Sequence, residues 1–159
     1  MHLRQAQILH MACHRYSSHL DPSRSKLLLE DWQLFPLTVY DIELLTDLCP
    51  QFAYLSACHT AATGNMNLLD ESINLASALI GFFSVVATLW YAVDKHSPNV
   101  ACEVYRLMRR NGKIDTTTAA FALHQVARGL REATRIIPGF LKQTSSDPLL
   151  WAAYIHIGV

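Results

Sequence analysis

Two short apolar runs constrain the fold of this chain more than any other feature: Ile8-Leu9-His10-Met11-Ala12-Cys13-His14 and Tyr54-Leu55-Ser56-Ala57-Cys58-His59-Thr60. Each is nearly continuous in apolar residues and ends on side chains that can react. Gln7 to Cys13 and Phe52 to Ala57 therefore read as strands buried on both faces. A third run, Ser84 to Leu89, is β-branched and bounded by Trp90. Strands buried on both faces need cover on both, and the sequence between them carries helical patterns. That alternation predicts an α/β chain with a mainly parallel central sheet.

The other elements arrange themselves around these strands. After the first comes a polar loop with Ser17, Ser18, Asp21, Pro22 and Ser23. Lys26 to Glu30, with the residues near Trp32, reads as a small hairpin beside the main sheet. Thr38-Val39-Tyr40-Asp41 is a capping-box pattern that opens a helix to about Leu48, before Pro50. Another helix spans about Leu69 to Ile80 and closes at Gly81. Pro98 is placed as the first residue of a further helix, with Ala101, Val104, Tyr105 and Met108 on one stripe and its end at Asn111-Gly112. The next, about Thr117 to Ala133, presents Ala120, Leu123, Ala127 and Leu130 at helical spacing. Ile136 to Asp147 is the candidate for a flexible loop, and Asp147-Pro148 turns the chain into a last strand, Trp151 to Ile157.

Composition narrows the class of function. A length of 159 residues, 51% hydrophobic and 16% charged, suits one packed domain or a large part of one. Thirteen basic and thirteen acidic residues cancel, which argues against nucleic acid or an anionic membrane as a partner. The four cysteines, Cys13, Cys49, Cys58 and Cys102, form no C-x-x-C pair and read as free thiols of a reducing compartment. The start has no apolar signal-peptide core, and the stretch from Leu75 to Leu89 is interrupted by Gly81 and Ser84 and too short to span a bilayer. A cytoplasmic location is the expectation. The first central-looking strand begins seven residues after Met1, which leaves an open sheet edge suited to self-association. The expectation is a sequence that begins inside a domain.

Parallel strands deliver their last residues to one edge of an open sheet, where ligands bind. The sequence between His14 and Cys58 has room for a flanking hairpin and a crossover helix, and a right-handed crossover sets the two strand ends side by side. Cys58 would then be a nucleophile and His14 its base, with the backbone N–H groups after His14 and at Cys58 as oxyanion donors. A cysteine at a strand end is also commonly an inert core residue. The adjacent pairs Cys13-His14 and Cys58-His59 raise a zinc site, but consecutive strand residues point to opposite faces, so no metal is expected. Cys13 is then core and His59 lies in the loop mouth. His10 reads as a hydrogen-bonded core residue, His2, His19, His96 and His124 as loop or surface positions, and His156 as the end of the last strand. Arg106, Arg109, Arg110 and Lys113 form a basic cluster that complements a helix dipole.

Ala12-Cys13-His14, Leu55-Ser56-Ala57-Cys58-His59-Thr60, Ser84-Val85-Val86-Ala87-Thr88-Leu89-Trp90 and Trp151-Ala152-Ala153-Tyr154 resemble, in order, successive motifs of CHAT domains. Ser25-Lys26-Leu27-Leu28-Leu29-Glu30-Asp31-Trp32 and Leu69-Asp70-Glu71-Ser72-Ile73 also fit. These are caspase- and separase-related modules, commonly fused to tetratricopeptide repeats. The resemblance runs from about Ile8 to Gly158. It implies a caspase-like three-layer sandwich with a mainly parallel central sheet, here lacking its N-terminal strands. It also implies a cysteine peptidase with His14 and Cys58 as the catalytic pair, an acyl-enzyme thioester, and no metal or organic cofactor. Implied partners are a protein or peptide substrate and a repeat-containing or sensor region. Arg15 stands where family members usually carry Gly directly after the catalytic His. If that position needs backbone angles suited to glycine, Arg15 misaims an oxyanion donor; alternatively its guanidinium occupies the cleft. Ser56, His59, Trp90 and Asp94 are the candidate substrate-pocket residues, Asp94 carrying the acidic charge. The competing expectation is a catalytically inactive CHAT-like module that binds partners.

Overall fold

Side chains alternate across a strand, so a strand with every residue buried must lie between two cores. Strand β5 (Phe52–Leu55) is buried throughout, and so is β7 (Ser84–Thr88). The computed structural model describes residues 6–16, 18, 21–44, 51–56, 58–59 (backbone alone), 84–88, 97–136 and 151–158. Within them the central sheet has the order β1-β5-β7-β10, where β1 is Ile8–Met11 and β10 is Tyr154–Gly158. β1, β5 and β7 are parallel, and β10 runs antiparallel to β7. The expected mixed α/β architecture with a mainly parallel sheet is present.

Two helices cover one face. Val100, Val104 and Met108 of α2 (Ser97–Met108) and Ala119, Ala122, Leu123 and Val126 of α3 (Ala119–Ile136) pack with Phe52, Tyr54 and Val86. Their spacing puts one apolar stripe of each helix against the sheet. On the other face Ala53, Leu55, Val85 and Ala87 meet Met11, Leu27, Val39 and Ile42. Val39 and Ile42 belong to α1 (Val39–Glu43), and Leu27 to a second, smaller sheet. The three layers follow from this division.

The second sheet has the order β4-β3-β2-β6, with β2 His14–Tyr16, β3 Lys26–Leu28, β4 Leu37–Thr38 and β6 Cys58–His59. β3 is antiparallel to both β2 and β4, while β2 and β6 are parallel. The hairpin expected near Lys26 is thus part of a sheet, and Trp32 lies in its connecting turn, donating its N–H to the Leu29 carbonyl at 3.2 Å. At Thr38 the expected capping box is complete: its hydroxyl accepts from the Asp41 N–H at 3.1 Å, and the Asp41 carboxylate accepts from the Thr38 N–H at 2.8 Å.

Several expectations are corrected. β1 is an edge strand among the described residues, and only Met11 in it is buried, because cover reaches it from one flank alone. Helix α2 stops at Met108; Asn111 and Gly112 instead form the turn of a hairpin between β8 (Arg109–Arg110) and β9 (Lys113–Ile114). Their φ values of 51° and 80° lie in the left-handed region that an Asn-Gly hairpin turn requires. Arg109, Arg110 and Lys113 therefore sit on that hairpin and not on a helix end. In α3 the expected Leu123 is buried and Leu130 packs against the same core, but Ala120 is exposed and Ala119, Ala122 and Val126 complete the inward stripe. A 3-10 turn over Thr116–Thr118, capped by Asp115, sets the phase of the helix. The last strand begins at Tyr154, after Trp151. The helix expected over 69–80 and the loop expected over 137–147 lie outside the described residues. Among the described residues, no helix is long and apolar enough to cross a membrane.

Candidate active site

The two sheets are joined by a pair of strands that stay in step. In the central sheet Ile8 pairs with Phe52 and Met11 with Leu55; in the small sheet His14 pairs with Cys58 and Arg15 with His59. Phe52 lies 44 residues after Ile8, and Cys58 lies 44 after His14, so one parallel register runs through both ladders. Between them the Ser56 N–H donates to the Met11 carbonyl at 2.8 Å, which keeps the strands together at the crossing. His14 and Cys58 were expected as the last residues of central strands. They instead open the small sheet, and after β1 the chain bends at Cys13 before β2 begins.

Burial alternates along β2: His14 and Tyr16 are exposed and Arg15 is only 7% exposed. Arg15 pairs with Leu27, a core residue, so its side chain lies on the inner face, opposite His14. Two expectations fall with this arrangement. The Arg15 guanidinium does not share the face of His14, and its backbone is not strained: among the described residues only Asn111 is a non-glycine with positive φ.

An open cleft of about 810 Å³ lies beside His14, with Ser56, Cys13 and Glu30 in its wall and Cys102 and Tyr105 contributed by α2. Cys13 is half-buried, and burial pushes its thiol up from its ordinary value. A raised thiol is a poor nucleophile, since the thiolate is the attacking form. His10 is corrected from a core residue to a rim residue whose ring is partly covered: it stacks 4.9 Å from Tyr54 and 5.6 Å from Tyr105. Its Nδ1 lies 3.3 Å from the Tyr105 hydroxyl. Burial lowers the His10 pKa and pushes the Tyr105 hydroxyl up to about 12, so this wall is neutral near pH 7. His156 lies inside β10, with Nε2 at 2.8 Å from the Ser84 hydroxyl, and burial lowers its pKa too. Among the described residues no three His, Cys, Asp or Glu side chains converge as metal ligands would.

The structure thus brings His14 and Ser56 to one cleft and sets the Cys58 backbone in register with His14. His59 is placed by its backbone in β6, paired with Arg15, while Trp90 and Asp94 lie outside the described residues. Glu30, Cys102 and Tyr105 escaped the sequence analysis as cleft residues. For Glu30 a signal existed: it follows the strand whose Leu28 pairs with His14. For Cys102 and Tyr105 none did, because helix packing alone brings them there.

No curated protein matches the chain. A family model described as CHAT domain matches residues 1–159, and the chain belongs to the CHAT domain family.

Proposed function

We propose that this chain is a CHAT-type cysteine endopeptidase module, with Cys58 as nucleophile and His14 as base. The observation that carries the reading is the parallel register that pairs His14 with Cys58. Paired positions on neighbouring strands share a face of the sheet at a strand spacing of about 4.8 Å, a span that a thiol and an imidazole bridge. His14 takes the thiol proton as sulfur attacks the peptide carbonyl, and the N–H groups of Arg15 and Cys58 are the donors for the oxyanion. His14 then protonates the departing amine, and water cleaves the thioester to release the acyl fragment.

In this reading the substrate is an extended protein segment, Ser56, His59, Trp90 and Asp94 contribute to its pocket, and no metal or organic cofactor takes part. A repeat-containing or sensor partner belongs to the same reading, as does a reducing, cytoplasmic setting for the free thiols. The test is a panel of peptidyl electrophiles read by mass spectrometry. Selective labelling of Cys58 over Cys13, Cys49 and Cys102, lost in His14→Ala, is the expected result. Labelling that is absent or indifferent to His14 overturns the peptidase reading in favour of an interaction module.

A further inference from the structure

Resting on the peptidase reading, we propose that the outer face of the small sheet is a charge-polarised substrate track. It takes an extended peptide with an acidic side chain on one side of the scissile bond and a basic side chain on the other, read by Lys26 and Glu30.

The register supplies the geometry. Leu28 pairs with His14 and Lys26 with Tyr16, so Lys26 stands two residues along β3 from the position opposite the imidazole. Glu30 lies beyond the end of β3, in the turn that follows Leu28, and lines the same cleft as Leu28 and His14. Strands rise about 3.3 Å per residue and alternate faces, so Lys26 is displaced about 6.6 Å from Leu28. An extended peptide has the same spacing. Its side chain two positions from the residue at His14 reaches Lys26 on one side, and on the other side the peptide enters the cleft that Glu30 lines.

Chemistry supplies the polarity. The Lys26 ammonium is held over the Trp32 ring at 4.8 Å and the Tyr16 ring at 5.4 Å, which orders it before a ligand arrives. Beside it runs a groove of about 620 Å³ to which Arg24 adds a second cation. Asp21 in that groove is committed to the Ser23 N–H at 3.1 Å and the Ser23 hydroxyl at 2.6 Å. On the other side Glu30 is, among the described residues, the one Asp, Glu, Lys or Arg in the cleft wall, with apolar neighbours such as Leu29, Pro98 and Ala101 that suit the stem of a Lys or Arg. Among the described residues neither Lys26 nor Glu30 has an oppositely charged partner. Among the described residues a cation without an ion pair on the Tyr16 side of the imidazole and a carboxylate without one in the cleft beside it thus flank His14.

The test uses two dye-labelled peptides of identical composition. Each has one Asp and one Lys, two positions either side of a shared neutral centre, in opposite orders. Binding is read by fluorescence anisotropy on the full chain carrying Cys58→Ala, so it does not depend on turnover. One order is expected to bind about fivefold more tightly at low salt, from two exposed charge pairs, and the preference should shrink as salt is raised. Lys26→Glu with Glu30→Lys in the same chain should invert the preference, and either change alone should remove it. Circular dichroism checks that these variants fold. Equal binding of the two orders, no binding of either, or a preference unchanged by the double reversal overturns the track. Failure of Cys58 labelling with an order preference intact would instead overturn the peptidase reading and leave the track as a docking face.

Discussion

β5 and β2 are both interior strands of their sheets, yet their surroundings are opposite. Every residue of β5 is buried between two cores, whereas β2 buries Arg15 and leaves His14 and Tyr16 exposed. Stability therefore concentrates in the central sheet, and the small sheet holds the reactive positions in a register inherited from it. A site built this way can vary its outer face without disturbing the scaffold. Charge swaps at Lys26 and Glu30 exploit that freedom.

The sharpest way to break this contrast is a pair of truncations. Phe52→Ala should cost about 3–5 kcal/mol, because it empties a fully buried site, while Tyr16→Ala should stay within about 0.5 kcal/mol. Urea unfolding of both variants measures the difference, and equal losses would refute the division of labour. A smaller effect is expected at Arg15→Gly. Removing a buried side chain from a strand should cost about 1–3 kcal/mol, with no gain in turnover because no backbone strain exists to relieve. Faster turnover in that variant would restore the oxyanion-misalignment account.

The smallest effect concerns pH. Burial holds the folded-state pKa of His10 and His156 below the ordinary 6.5, so the unfolded chain binds more protons in between. The stability these two groups contribute is present above pH 6.5 and is lost as pH falls through that value toward the folded pKa values. The urea midpoint should fall modestly between pH 7.5 and pH 5, and less steeply in His156→Gln. A slope unchanged by that substitution would remove His156 from the account. Among the described residues both histidines lie on the edge strands of the central sheet, β1 and β10, so acid acts on its margins and not on β5 or β7.

How much of this was legible in the sequence depended on whether the deciding forces were local. β5 and β7 were readable because burial on both faces demands continuous apolar residues. The Thr38–Asp41 cap was readable because its partners lie within one turn. The stripe of α3 was readable in part: Leu123 and Leu130 face the core as expected, while the exposed Ala120 gives way to Ala119 and Ala122 in the turn that follows the Asp115 cap. Asn111-Gly112 misled because a glycine after an apolar stripe ends a helix or turns a hairpin equally well. The small sheet was largely invisible because strands of two or three residues carry no period. Even so, the juxtaposition of the His14 and Cys58 backbones could be anticipated from two apolar runs that end on reactive residues, with room between them for a crossover. Cys102 and Tyr105 join the cleft through tertiary packing, which leaves no local trace.

The shared register has a further consequence for which length changes the chain tolerates. One added residue between Met11 and His14 would slide β2 against β6 and set a different residue beside Cys58, reversing the faces as it did so. The same addition between Leu55 and Cys58 would do likewise. Made together, the two insertions would cancel. The two connections, far apart in sequence, are thus bound to change length only as a pair.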